Sequence, residues 1–222
     1  MKTTTLLLSL GLITSSSATV LTFSTNPASA NGSDVPIDYG DRVTSTSDGL
    51  GLYGSSQGFT PNILTDFSGN DASLWTSDYS DLSDVYYNET EGGDLSLNFQ
   101  ADPGFLVRLH SFDIGAWQPG SPDNPTIDNV TVSTNGIVLF TMSNVIVSET
   151  TATNLVFPVP LAAENLSIVL DTSGLGNSSD NIALDNVTFS QAAAPVPEPS
   201  SSLLLVGALA ISLGLTRCRS NV

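Results

Sequence analysis

Cysteine, histidine and lysine are almost missing from these 222 residues, at one each. A lone Cys218 closes no intrachain disulfide and builds no thiolate zinc cage. His110, as the sole imidazole, excludes a multi-histidine metal site and leaves little room for histidine catalysis. Cationic side chains of any kind are scarce: five Lys and Arg face 22 Asp and Glu, for a formal net charge of −17. That balance excludes nucleic acid as a partner, because a phosphate backbone is bound by neutralising it with Lys and Arg. With 12% of residues charged and 40% hydrophobic, the chain fits neither a highly charged disordered segment nor a bulk membrane protein. Convincing amphipathic helices are lacking as well.

The two ends carry addresses. Lys2 precedes the apolar run Leu6 to Ile13, a Ser/Thr-rich stretch, and Ala28-Ser29-Ala30. A positive start, a short apolar core and an A-x-A close read as a signal peptide over residues 1–30, with Ala28 and Ala30 at the cleavage site. At the other end Val196-Pro197-Glu198-Pro199 and a run of serines lead into Leu203 to Thr216, closed by Arg217-Cys218-Arg219. Fourteen residues of helix reach about 21 Å. Counted from Ser200, the segment crosses a bilayer with local thinning, and Arg217 and Arg219 keep its last end on the cytoplasmic side. The prolines ahead of it stop helix continuation and give a stiff, extended segment.

Proline–glutamate–proline, apolar helix and basic end, in that order, resemble the PEP-CTERM sorting tail of Gram-negative bacteria. The resemblance covers about the last 27 residues. It implies export, retention in the inner membrane by a C-terminal transmembrane helix over 203–216, and processing near Glu198 by an exosortase. It further implies a final place in the cell envelope or outside the cell, in association with the exopolysaccharide matrix of a biofilm.

Between the addresses lies one acidic domain, expected over residues 31–191, with residues 192–222 as linker and tail. All acids but Glu198 fall within it, against Arg42 and Arg108 as its bases. Short alternating runs separated by Gly, Pro, Asn, Asp and Ser predict strands: Leu95-Leu97-Phe99, Phe105-Val107-Leu109, Ile137-Leu139 with Val145-Val147, and Leu166-Ile168-Leu170. Further strands are expected near 49–53, 62–67, 85–89, 127–133, 155–159 and 182–190. The fold class is all-β, an antiparallel β-sandwich or jelly roll. Ile127-Asp128-Asn129-Val130 is echoed by Leu184-Asp185-Asn186-Val187, and in each the apolar parity slips at the Asp-Asn pair. A similar slip falls between Leu109 and Phe112. A β-bulge at each place would return the apolar residues to one face. The run Ser179 to Phe189 also resembles the last strand of bacterial jelly-roll modules, carbohydrate-binding ones among them.

Four chemistries compete for this domain. Serine hydrolysis has only His110 as base, read as a surface residue, and no nucleophile elbow is expected. A glycosidase needs two carboxyls of unequal pKa at a set separation, which abundance alone does not show. Calcium takes six to eight oxygens, and Asp113, Asp128, Asp180 and Asp185 stand at strand ends or bulges as candidate ligands. Polysaccharide is held by aromatic faces with polar partners for the hydroxyls, which nominates Trp75 and Trp117. The expected protein is a non-enzymatic, exported β-sandwich of the exopolysaccharide matrix, with calcium as a candidate stabiliser. A carbohydrate-binding module is the alternative and a glycoside hydrolase the remoter one.

Overall fold

Alternation of apolar and polar side chains over strand-length runs dictates two sheets closing on a shared core. The computed structural model describes residues 17–24, 31–44, 58–67, 71–117 and 124–195. Its strands are β1 (Thr19–Leu21), β2 (Ser33–Asp34), β3 (Ile63–Asp66), β4 (Ala72–Trp75), β5 (Val85–Asn88) and β6 (Leu95–Ala101). They continue as β7 (Phe105–Ala116), β8 (Thr126–Thr134), β9 (Ile137–Ile146), β10 (Thr153–Ala163), β11 (Asn165–Asp171) and β12 (Ile182–Ala193). A kinked 3-10 segment, Ser173–Asn181, precedes β12. The signal cleavage residues Ala28 and Ala30, the strand expected near 49–53, and the whole tail with Val196, Pro197, Glu198, Pro199, Arg217 and Arg219 lie outside the described residues. Among the described residues no helix is long and apolar enough to cross a membrane.

The larger sheet runs β10-β7-β12-β5-β4-β2, with β1 also on β12, and the smaller runs β3-β6-β11-β8-β9. All pairings are antiparallel. Leu95, Leu97 and Phe99 of β6 and Leu166, Ile168 and Leu170 of β11 face inward, opposite Val107, Leu109, Phe112 and Ile114 of β7. Phe99 meets Phe189 across the layers at 4.9 Å between ring centroids. Each such aliphatic side chain contributes about 1.5–3 kcal/mol on burial. Asn135-Gly136 closes the β8–β9 hairpin with φ of 47° and 79°, the left-handed pair that a two-residue turn requires.

The parity slips resolve in two ways. Register shifts fall in β12 between Asp185 and Thr188, where Asn186 has φ 49°, and at His110 of β7. These bulges leave Leu184, Val187, Phe189, Leu109 and Phe112 all buried. At Asp128-Asn129 the β8–β9 register is unchanged. There Asn144, the residue across from Asp128 in that register, has φ 55°, and Ile127, Val130 and Val145 all remain inside. The expected inward parity of Ile137 and Leu139 does not hold. Both are exposed on the edge strand β9, and only Val145 and Val147 of that run are buried.

The sandwich also reaches beyond its expected ends. Ala192 and Ala193 pair with Leu106 and Phe105. Upstream of Asn31, Thr19, Val20 and Leu21 pair with Phe189, Thr188 and Val187. Phe23 follows into a buried aromatic cluster, 5.2 Å from Tyr39 and 5.5 Å from Tyr86. Its backbone N–H donates to the Tyr39 hydroxyl at 2.6 Å. Phe23→Ala removes the centre of that cluster, and chemical denaturation is expected to show a loss of about 3–5 kcal/mol.

Candidate functional site

The strand period puts Leu74 and Tyr86 in the core, so their neighbours Trp75, Val85 and Tyr87 face outward from the larger sheet. A second, smaller apolar cluster forms there. It comprises Tyr79, Val85, Tyr87 and Ala183, with half-buried Trp75, Leu82 and Trp117 packed against it. Trp75 meets Trp117 edge to face at 6.2 Å and Tyr87 at 6.1 Å. The two tryptophans nominated from sequence, 42 positions apart, are thus neighbours on one surface. Neither plugs the main core.

The β4–β5 connection is folded onto this surface. Tyr79 bridges to Trp117 and to Leu82, and its hydroxyl donates to the Asp180 carbonyl at 2.6 Å. The Ser80 N–H donates to the Ala116 carbonyl at 2.8 Å, and the Ala116 N–H donates to the Ser80 hydroxyl oxygen at 2.9 Å. Gly115 permits this approach: a Cβ there would stand 2.9 Å from Leu82 Cδ1 and 3.0 Å from the Tyr79 carbonyl oxygen. Asp78, Ser80 and Asp84 all carry left-handed φ, at 71°, 56° and 62°. Three such residues in one short loop are a local cost, of the kind that gathers at binding sites. Trp75 Nε1 adds another, as a buried donor that meets no acceptor.

Acids ring the patch. Burial, with Glu89 next, raises the Tyr87 hydroxyl's pKa, and Ser73 Oγ donates to Glu89 Oε2 at 3.0 Å beside it. Burial likewise raises Tyr79, and it raises Asp180 with Glu91 and Glu89 nearby. The surface therefore offers aromatic edges and faces beside carboxylates and hydroxyls.

The four carboxylates nominated for calcium divide among separate places. Asp113 and Asp185 are cross-strand partners on β7 and β12. Asp128 packs over Gly174 beside the 3-10 segment, and Asp180 borders the aromatic patch. Among the described residues no three His, Cys, Asp or Glu side chains are arranged to hold a metal ion. Asp113 is engaged by the amides of Asn154 and Asn186. Asp185 is buried, and one of its oxygens accepts the Asn186 N–H at 2.6 Å.

The candidate hydrolytic residues are placed as follows among the described residues. His110 Nε2 lies 2.8 Å from Ser190 Oγ, so this imidazole is half-buried and bonded rather than a free surface group. Burial, then Arg108, lowers its pKa. Burial, then Asp171, raises the pKa of Asp94, and Ser173 Oγ donates to Asp171 at 2.6 Å. Gly54-Ser55-Ser56-Gln57-Gly58 does spell G-x-S-x-G, contrary to the expectation of no elbow. Residues 54–57 lie outside the described residues, and Thr60 to Asp66 continue as bridge, turn and strand rather than the helix an elbow leads into. A hollow of about 410 Å³ on the smaller sheet is lined by Asp66, Asn98, Gln100, Asn165 and Ser167, without an exposed aromatic side chain.

No family model matches the chain, and no curated protein matches it. Among solved structures it is similar to the family 32 carbohydrate-binding module of C. perfringens NanJ in complex with galactose. That match has 14% identity and a TM-score of 0.27, over 78% of this chain and 98% of that one. It is also similar to the arabinose-bound α-L-arabinofuranosidase MgGH51, at 13% identity and a TM-score of 0.34, over 79% of this chain. The match spans 32% of that enzyme's length.

Asp185 supplies a test of the acid pair. Burial, then the Asn186 N–H acting the other way, then Asp113 and Asp84, push its pKa up to about 8 from an ordinary 3.8. The unfolded chain gives up this proton near 3.8, whereas the folded chain keeps it to about 8. Stability from this site is therefore full below pH 3.8, falls through that window and is lost above about 8. Asp185→Asn mimics the neutral acid, and thermal melts from pH 4 to 9 are expected to show a flatter profile. At pH 9 the variant should gain about 1–3 kcal/mol. Destabilisation at pH 9 would mean that Asp185 works as an anion, as a calcium ligand does.

Proposed function

We propose that this chain is a non-enzymatic carbohydrate-binding β-sandwich that acts outside the cytoplasm, holding a polysaccharide against the Trp75–Trp117 surface. The observation that carries this reading is the convergence of two tryptophans on the outer face of a sheet, away from the core. An indole stacks on the apolar face of a pyranose, and Glu89 and Asp180 border the patch as acceptors for hydroxyls. A net charge of −17 repels polyanions at short range, so the fitting ligand is a neutral glycan. The signal-like start and the PEP-CTERM-like end support the further reading that the chain is exported and held at the inner membrane by an exosortase-processed tail before release to the envelope or matrix.

Trp117→Ala is the direct test. Its ring lies at the margin of the patch, so the sandwich is expected to fold with little change in melting temperature. Affinity electrophoresis in gels containing neutral polysaccharides should show retardation of the parent and loss of it in the variant. Quenching of tryptophan emission by the same glycan should fall in step. Equal retardation of parent and variant would sink the assignment of the site.

A further inference from the structure

We infer that the export leader is cut between Ala18 and Thr19, and that Thr19–Ser24 stay in the mature chain as part of the folded domain. This rests on the exported reading above. Thr19, Leu21 and Phe23 are all buried at 1% exposure or less. Thr19 Oγ1 lies 2.8 Å from Thr60 Oγ1, and a Cβ added at Gly58 would come within 2.5 Å of Thr19 Cα. β5 accompanies β12 only at Ala183 and Leu184, and β1 takes up the same edge at Val187 to Phe189. A cut after Ala30 would strip β1 from that edge, leaving its backbone groups unpaired inside the sandwich. It would also leave Tyr39, Phe67 and Tyr86 around the hole where Phe23 sits.

The sequence offers the earlier site independently. Ser16-Ser17-Ala18 places small residues at the first and third positions before the bond, as leader cleavage demands. It follows the apolar run, which ends at Ile13, by five residues, whereas Ala30 follows by seventeen. The step is amide hydrolysis: the Ala18–Thr19 C–N bond breaks, water leaves a carboxylate on Ala18, and the Thr19 nitrogen departs as an ammonium. It takes place on the unfolded chain during export, so the later burial of Thr19 is no obstacle. The cut forfeits the bond from the Phe59 N–H to the Ser17 carbonyl at 3.1 Å and keeps the core contacts of Thr19, Leu21 and Phe23.

Expressing the full chain in a Gram-negative host, followed by N-terminal sequencing and intact mass of the exported protein, tests this. A chain beginning at Thr19 is expected. An exported chain beginning at Asn31 overturns the inference while leaving export intact. A chain still bearing Met1 in the cytoplasm overturns both. Ala18→Asp should abolish the processed product, and Ala30→Asp should leave it unchanged. The reverse pattern would return the cut to Ala30.

Discussion

The sandwich depends on β12 keeping one face in the core along its whole length, and the left-handed residue Asn186 is what allows it. Leu184 and Val187 are an odd number of residues apart, so an unbroken strand sends them to opposite faces. The register shift after Asp185 absorbs one residue and brings Val187 and Phe189 back inside. β12 then carries β7 along one side, with β5 and β1 sharing the other. The same shift has a chemical consequence, because it buries the Asp185 carboxyl beside Asp113. Asparagine is among the few non-glycine residues that enter the left-handed region readily, and its amide also binds Asp113 at 2.9 Å. The backbone device and the local charge arrangement are therefore one feature.

Much of this was legible in the alternation of single residues. Leu95-Leu97-Phe99 and Leu166-Ile168-Leu170 predict their strands and their inward faces, because seven-residue runs of strict period two admit no other packing. The bulges at Asn186 and His110 were legible as parity slips. Other features were not. β1 reads as leader, since Thr19-Val20-Leu21 continues a Ser/Thr-rich stretch and no local signal separates a short buried strand from an export sequence. β4 is too short to show a period. Ile137 and Leu139 share the parity of Val145 but face solvent, because the left-handed Asn144 shifts the phase within β9 and Phe140 packs on the core instead. The meeting of Trp75 with Trp117 depends on β4 and the end of β7 being placed by β5 and β12 between them. That is a matter of topology and leaves no mark in local sequence.

The aromatic patch is where local rules are broken together. Left-handed Asp78, Ser80 and Asp84, a glycine that admits a loop backbone, and an indole donor without an acceptor all gather within a few residues of the two tryptophans. Each has a cost, and none is needed to close the main core, which is complete on the other face of the sheet. Structural economy would fill this surface with small polar residues. The sheet instead places two half-buried tryptophans on its outer face, with Tyr79 and Tyr87 buried beneath the β4–β5 connection.

Charge sets the terms on which the rest is held. With one cysteine no intrachain disulfide supports the fold, and the Arg42–Asp102 pair, 2.6 Å apart at the surface, is screened by solvent and adds little. The acids repel one another throughout the folded state. Cohesion therefore comes from apolar burial, and a body of this size has enough of it only if its core is intact. Leu21 and Phe23 are part of that core, so the domain's stability depends on their remaining in the chain. With them in place the aromatic cluster of Phe23, Tyr39, Phe67 and Tyr86 is whole, and with it the end of the sandwich on which β5, and through it β4, is held.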